Sequence, residues 1–153
     1  MQHGIAIGVR IDPPETMPDD VWPWLTGAAA FDAAGADALW LDLTGTDLDP
    51  CVLVASLAAL TYRTRLVLDA NAHDPRSVET LGMVSRGRLE TASPQDWVDV
   101  PMPDSRATWR ETLADAAAKG STGVIVPADP RLLDLLRNPD EEIDRRDLHL
   151  AQG

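Results

Sequence analysis

At 153 residues the chain is long enough for one domain with its own core and too short for two. Its 25 acidic residues against 13 basic ones give a net charge of −12, which disfavours nucleic acid, an anionic membrane surface or any polyanionic partner. Cys51 is the only cysteine, so an internal disulfide is excluded and a reducing cytoplasm is suited.

The N-terminal residues Met1 to Gly4 lack the charged and apolar regions of a secretory signal, and no apolar run approaches bilayer-spanning length, so a cytoplasmic protein is expected. Gly4 to Ile11 (GIAIGVRI) reads as the first strand of a sheet covered on both faces, closed by Asp12-Pro13-Pro14. A helix follows, capped by Asp19 or Asp20, with Pro23 in its first turn and Trp22, Leu25, Ala29 and Phe31 as apolar contacts. Ala36 to Leu43 (ADALWLDL) has the length and composition of a second strand.

Asp49-Pro50 opens a helix whose Leu53, Leu57 and Leu60 recur at helical spacing, and the neighbours Val52 to Val54 predict a buried Cys51 thiol. Arg65 to Ala70 is the next strand, and Asp74-Pro75 begins a helix running to Val84, before the turn Ser85-Arg86-Gly87 and a strand at Arg88. Alternating strands and helices imply βα units and a parallel sheet. Trp97 to Pro101 follows within about seven residues, less than the dozen or so a parallel crossover needs, so an edge piece, an antiparallel return or an extended loop is expected. Ser105 to Lys119 is a helix with Trp109, Leu113, Ala116 and Ala117 on one face, stopped by Gly120. Thr122 to Val126 is a buried strand, Arg131 to Arg137 a last helix, and 140–153 a charged tail beyond a single domain over 1–139.

Three segments carry a family resemblance: Ala33 to Trp40 (AAGADALW), Asp49-Pro50 with Leu57 to Leu66 (LAALTYRTRL), and Thr80 to Leu89 (TLGMVSRGRL). In this order they resemble the first half of the luciferase-like family of flavin- and deazaflavin-dependent oxidoreductases. The unit from Trp109 to Val126 resembles that family's late βα repeat. The resemblance implies an α/β fold, specifically a reduced or incomplete TIM-like (β/α) barrel with a mostly parallel sheet. Five or six strands are countable where an ordinary barrel has eight in roughly 250 residues. It also implies a homodimer paired through helices of the first half, FMN or a deazaflavin as cofactor, and oxidoreductase or monooxygenase activity on a small molecule.

The alternative is a non-catalytic descendant, without cofactor, that binds a small molecule or pairs with a full-length relative. Two departures support it: Leu43 stands where the family often has a catalytic histidine, and Thr91 to Trp97 replaces a glycine-rich segment.

Residues at the carboxyl ends of parallel strands face a barrel's active-site mouth, which selects Asp12, Asp42, Asp69 to His73, and Asp129. His73 is the candidate acid or base, or else a solvent-facing turn residue before the cap Asp74. Asp42 and Asp69 are a candidate carboxylate pair, with helix capping as the alternative. Asn71, Asp69 and Trp22 are the candidate cofactor contacts, although a tryptophan at position 22 equally suits core packing. Arg63, Arg65, Arg86 and Arg88 fall at structural positions of the family pattern, at the opposite end of the barrel. No paired histidines or cysteine cluster suggests a metal, and no Walker or Rossmann glycine motif is present.

Overall fold

The computed structural model describes residues 4–14, 18–69, 73–91 and 95–139. His3, Asn71 and the tail 140–153 with His149 lie outside the described residues. Six strands alternate with five helices: β1 (Ala6–Ile11), α1 (Pro18–Ala34), β2 (Ala38–Leu41), α2 (Pro50–Leu60), β3 (Arg65–Leu68), α3 (Pro75–Val84), β4 (Leu89–Glu90), β5 (Trp97–Asp99), α4 (Arg106–Ala118), β6 (Gly123–Pro127) and α5 (Pro130–Arg137).

Four of the five helices start where the sequence supplies an oxygen for their unpaired N–H groups. Asp49 accepts from the Cys51 and Val52 amides, Asp74 from Ser77, Ser105 from Thr108, and Asp129 from Arg131. Proline at the first position of α2, α3 and α5 fixes φ where no donor is needed. At the other end of α1, the Ala36 amide returns to the Phe31 carbonyl and the Gly35 amide to that of Asp32, the paired bonds of a Schellman stop.

The sheet runs β4-β3-β2-β1-β6-β5 and every pairing is parallel. In an eight-stranded barrel the last strand returns to the first. Here β6 takes that place beside β1, but the sheet does not close, and β4 and β5 remain as its two edges. The chain is thus an incomplete TIM-like α/β fold, an open barrel.

Side chains alternate between two cores. Val9, Ile11, Leu39, Leu41, Leu66, Leu68, Val124 and Val126 point outward into the layer formed by the helices, where they meet Leu25, Phe31, Leu53, Leu57, Trp109 and Leu132. Ala38, Trp40, Val67 and Ile125 point to the concave side and pack with Trp97. That inner core has only two bulky members. The Trp40 and Trp97 rings lie with centroids 5.8 Å apart and planes tilted by 49°.

Glycine makes room for them. A Cβ at Gly8 would meet Trp40 Nε1 and Trp97 Cζ3, each at 2.7 Å, and one at Gly123 would run into the Trp97 ring more closely still. A closed barrel fills its interior with layers of side chains from all its strands. Two indoles over two glycines fill this one.

Three expectations change, and of the readings of the stretch at Trp97 the edge piece holds: it is a parallel edge strand on β6, neither an antiparallel return nor a loop. The crossover minimum applies to neighbouring strands, and β4 and β5 stand at opposite edges of the sheet. Helix α1 begins at Pro18 rather than after Asp19 or Asp20, so Pro23 lies in its interior on an exposed face. Trp22 is 63% exposed rather than an apolar contact; Ala28, on the same face as Leu25, is buried instead. Cys51 is half-buried, at the edge of the outer core.

Candidate functional site

The two ends of the sheet do different work. At the amino end, Asp32 is buried and its carboxylate accepts from the Tyr62, Arg63 and Thr64 amides and from the Thr64 hydroxyl. Burial pushes its pKa up, but the Thr64 hydroxyl and the three amides outweigh that and hold it below the usual carboxylate value. Arg88 donates to the Ala58, Thr61, Thr64 and Ser85 carbonyls and to Thr61 Oγ1, closing the carbonyl end of α2. Arg65 pairs with Glu90 at 3.1 Å and sits 5.3 Å over the Trp97 ring. Arg65 and Arg88 are therefore structural, as their positions in the sequence pattern suggest. Their guanidinium groups are engaged in holding turns and strands together.

At the carboxyl end a cavity of about 430 Å³ opens above the two indoles. Its wall includes Arg10 from β1, Trp40 from β2 with Asp42 and Thr44 just beyond, Val67 and Asp69 from β3, Trp97 and Asp99 from β5, and Ile125 from β6. The polar members all stand at strand ends, where the backbone turns away and the next side chain is left facing the mouth. Asp42 is anchored by its own turn: it accepts from the Thr44 hydroxyl at 2.7 Å and from the Thr44 amide at 3.2 Å. Those two bonds, with a smaller contribution from the Arg10 charge, lower its pKa below the usual value against a small opposing effect of burial. Arg10 donates to Asp99 across β6.

Among the described residues, three carboxylates and one guanidinium thus ring an aromatic floor. The floor contains an anomaly. Trp40 is 9% exposed and its Nε1 has no hydrogen-bond partner, in a class of atom that folded proteins nearly always satisfy.

Asp42 and Asp69, read from the sequence as a pair, line this one cavity. His73 is half-buried and lies beyond it, next to the α3 cap Asp74. Trp22 lies on the outer surface of α1, away from the mouth. Asn71 falls outside the described residues. Asp12 lines a separate groove with Pro13, Pro14, Pro23 and Trp24, and Asp129 caps α5, bound to the Arg131 amide and guanidinium. Leu43 is 6% exposed and belongs to the outer core, so this position brings no proton-transfer group to the mouth.

Arg10, Trp40, Trp97 and Asp99 were not among the residues anticipated. The signal for Arg10 was a cation at an inward position of an otherwise apolar strand. Trp40 and Trp97 needed the register that puts each beside a glycine strand.

Fold and cavity together define an open, parallel (β/α) barrel with an acidic, indole-floored mouth at the carboxyl ends of its strands. No protein-family model matches the chain, and no curated protein matches it. Among the described residues, no group of three or more His, Cys, Asp or Glu side chains is placed to hold a metal, and no helix is long and apolar enough to cross a membrane.

Proposed function

We propose that this chain is a non-catalytic descendant of the luciferase-like proteins that binds a small molecule in the mouth of its open barrel. The observation that carries this reading is the cavity itself: it sits where (β/α) barrels build their sites, and it has an apolar floor with a few convergent polar groups. The three sequence segments quoted above supply the ancestry.

FMN and the deazaflavins fit these residues poorly. Both carry phosphate, and a phosphate at this mouth would meet Asp42, Asp69 and Asp99, with Arg10 already donating to Asp99. The family's redox chemistry is the cofactor's, so a chain that does not hold the cofactor does not perform it.

The oxidoreductase reading keeps one observation in its favour, the convergence of Asp42 and Asp69 at the strand ends. Titration of the purified protein with FMN and with a deazaflavin, followed by flavin and tryptophan fluorescence, separates the two. The expected result is no saturable binding. Binding at micromolar concentration or tighter, about −8 kcal/mol, overturns the non-catalytic reading in favour of a working oxidoreductase.

The same ancestry implies a homodimer. Its support is the groove between α2 and α3, whose apolar lining includes Val52, Ala55, Ala59, Leu81 and Val84, with Val52 61% exposed. Sedimentation of the wild type and of Ala55→Glu tests it: a dimer that the glutamate converts to monomer is expected, and a wild-type monomer rejects it.

A further inference from the structure

Trp97 fills the interior of the open barrel from an edge strand, and few contacts hold that strand in place. We propose that Trp97 is a displaceable plug: β5 lifts from β6, the indole leaves its bed, and a neutral planar aromatic molecule of about two fused rings takes its place. This step rests on the small-molecule reading above and supplies its ligand class.

The bed is shaped for a flat ring. A Cβ on Gly123 would run into Cδ2, Cε2 and Cε3 of Trp97 together. Cδ2 is bonded to the other two, and a point close to all three lies over the ring face, so the bare Gly123 backbone backs that face. Gly8 leaves the same kind of space beside Cζ3. Trp40 stands against the ring at 5.8 Å, Val67 and Ile125 complete the apolar surround, and the Arg65 guanidinium carbon lies 5.3 Å from the ring centroid. A cation over the ring favours a π-system above an aliphatic frame of equal size. The same cation disfavours a positively charged ligand, while Asp42, Asp69 and Asp99 at the mouth disfavour a negative one. The ring system that fits is therefore neutral.

The strand that carries the plug is lightly attached. β5 has three residues and pairs with β6 alone. Among the described residues 95–105 only Pro103 is buried, and Val100 and Met102 touch the outer core from its margin. None of the buried side chains of the outer core comes from β5, so that core keeps its members when the strand lifts. Local opening draws on regions of this kind, with few buried apolar contacts. Two side-chain contacts act as catches: Asp99 accepts from Arg10 at the mouth, and Asp96 accepts from the Thr122 hydroxyl at the other end. Both lie at exposed positions, where such contacts contribute little.

The test titrates indole into the full chain while indole N–H resonances and backbone amide exchange are recorded, with Trp97 assigned from the spectrum of Trp97→Phe. A saturable shift of the Trp97 signal is expected. The Val100 and Thr122 amides, which donate across the β5–β6 seam to Ile125 and Asp96, should exchange about tenfold or more faster at saturation. The Leu39 and Leu66 amides, in fully buried residues of the central strands, should keep their protection. Indole bound with the Val100 and Thr122 amides unchanged, or better protected, means that β5 stays in place, and the plug is overturned.

Displacing an internal occupant lowers the apparent affinity by the fraction of molecules in which it is out. Trp97→Ala should therefore bind indole about tenfold or more tightly than wild type, and equal affinity overturns the proposal. Asp99→Asn releases one catch at an exposed position without touching the bed, so it serves where the larger truncation unfolds the chain. It should tighten indole binding about two- to fivefold; unchanged or weaker binding overturns the role of the catch. No binding of indole by wild type or by Asp99→Asn overturns the ligand class. The broader reading fails separately, by the flavin titration.

Discussion

Trp40 and Trp97 come from strands on opposite sides of β1, and their rings meet 5.8 Å apart over the bare backbone of Gly8. This contact is the inner core. In a closed barrel the opposing strands would supply the facing side chains; here two tryptophans lean across the gap, and the β1 and β6 positions beneath them carry no side chain.

Gly8→Ala tests that arrangement. The added methyl would lie within 2.7 Å of both indoles, too close for relaxation of a flexible chain end to absorb. A loss of about 1–3 kcal/mol in urea unfolding is expected, as for overpacked cores, with a change in tryptophan emission. An unchanged midpoint would show that the rings are free to move apart.

Arg88 is the cationic anchor of the amino end. Arg88→Ala removes the side-chain donor from the carbonyls of Ala58, Thr61 and Thr64, while that of Ser85 keeps the Arg88 backbone amide, and should cost about 2–4 kcal/mol. Arg88→Lys should recover less than half of this, because an ammonium group lacks the planar fork that serves several carbonyls together. Chemical denaturation of the three proteins gives the comparison.

Asp32 sets part of the acid limb of stability. Its folded pKa lies below the ordinary 3.8 because of the Thr64 hydroxyl and the Tyr62, Arg63 and Thr64 amides, which outweigh burial. A depressed carboxylate contributes stability above its unfolded pKa and loses it as the pH falls through the folded value. Wild type should therefore lose stability below about pH 4. Asp32→Asn should be weaker by about 2–3 kcal/mol at pH 7, since an amide presents donors to donors, and should lose less on acidification. Unfolding midpoints between pH 7 and pH 2.5 measure both.

Arg86 is the one non-glycine residue among those described with a positive φ, 57°. It occupies the left-handed position after α3, where the Gly87 amide returns to Gly82 and the Arg86 amide to Met83. The exposed guanidinium makes no bond that this turn needs. Arg86→Gly should raise stability by up to about 1 kcal/mol, the left-handed strain outweighing the added chain entropy. A thermal shift upward by a few degrees is the expected readout.

The sequence was most legible where one residue decides one local outcome. Asp49-Pro50 and Asp74-Pro75 mark helix starts because capping is a short-range interaction, and both aspartates cap. The alternation of elements announced the parallel sheet for the same reason. That Asp42 and Asp69 line one cavity follows from a rule of topology, that strand ends share a mouth. What stayed hidden depended on register between distant strands. Nothing local to Trp97 tells that it enters the sheet beside Gly123, or that Asp99 will reach Arg10. His73 and Trp22 are selected for lying near loops at the carboxyl end of the sheet, and that position alone does not say on which side of the sheet or helix a side chain emerges.

The seam between β4 and β5 has a consequence for how the chain can be lengthened. Both edges of the sheet lie at a single joint in the sequence, between Glu90 and Trp97, and none of the five strand pairings joins β4 to β5. Additional βα units inserted there would extend the two edges toward each other without shifting a single existing pair. The edges themselves are two and three residues long and end in Glu90 and Asp99. This is how natural sheets discourage pairing with a stranger's strand, so the joint admits growth from within the chain while resisting it from outside.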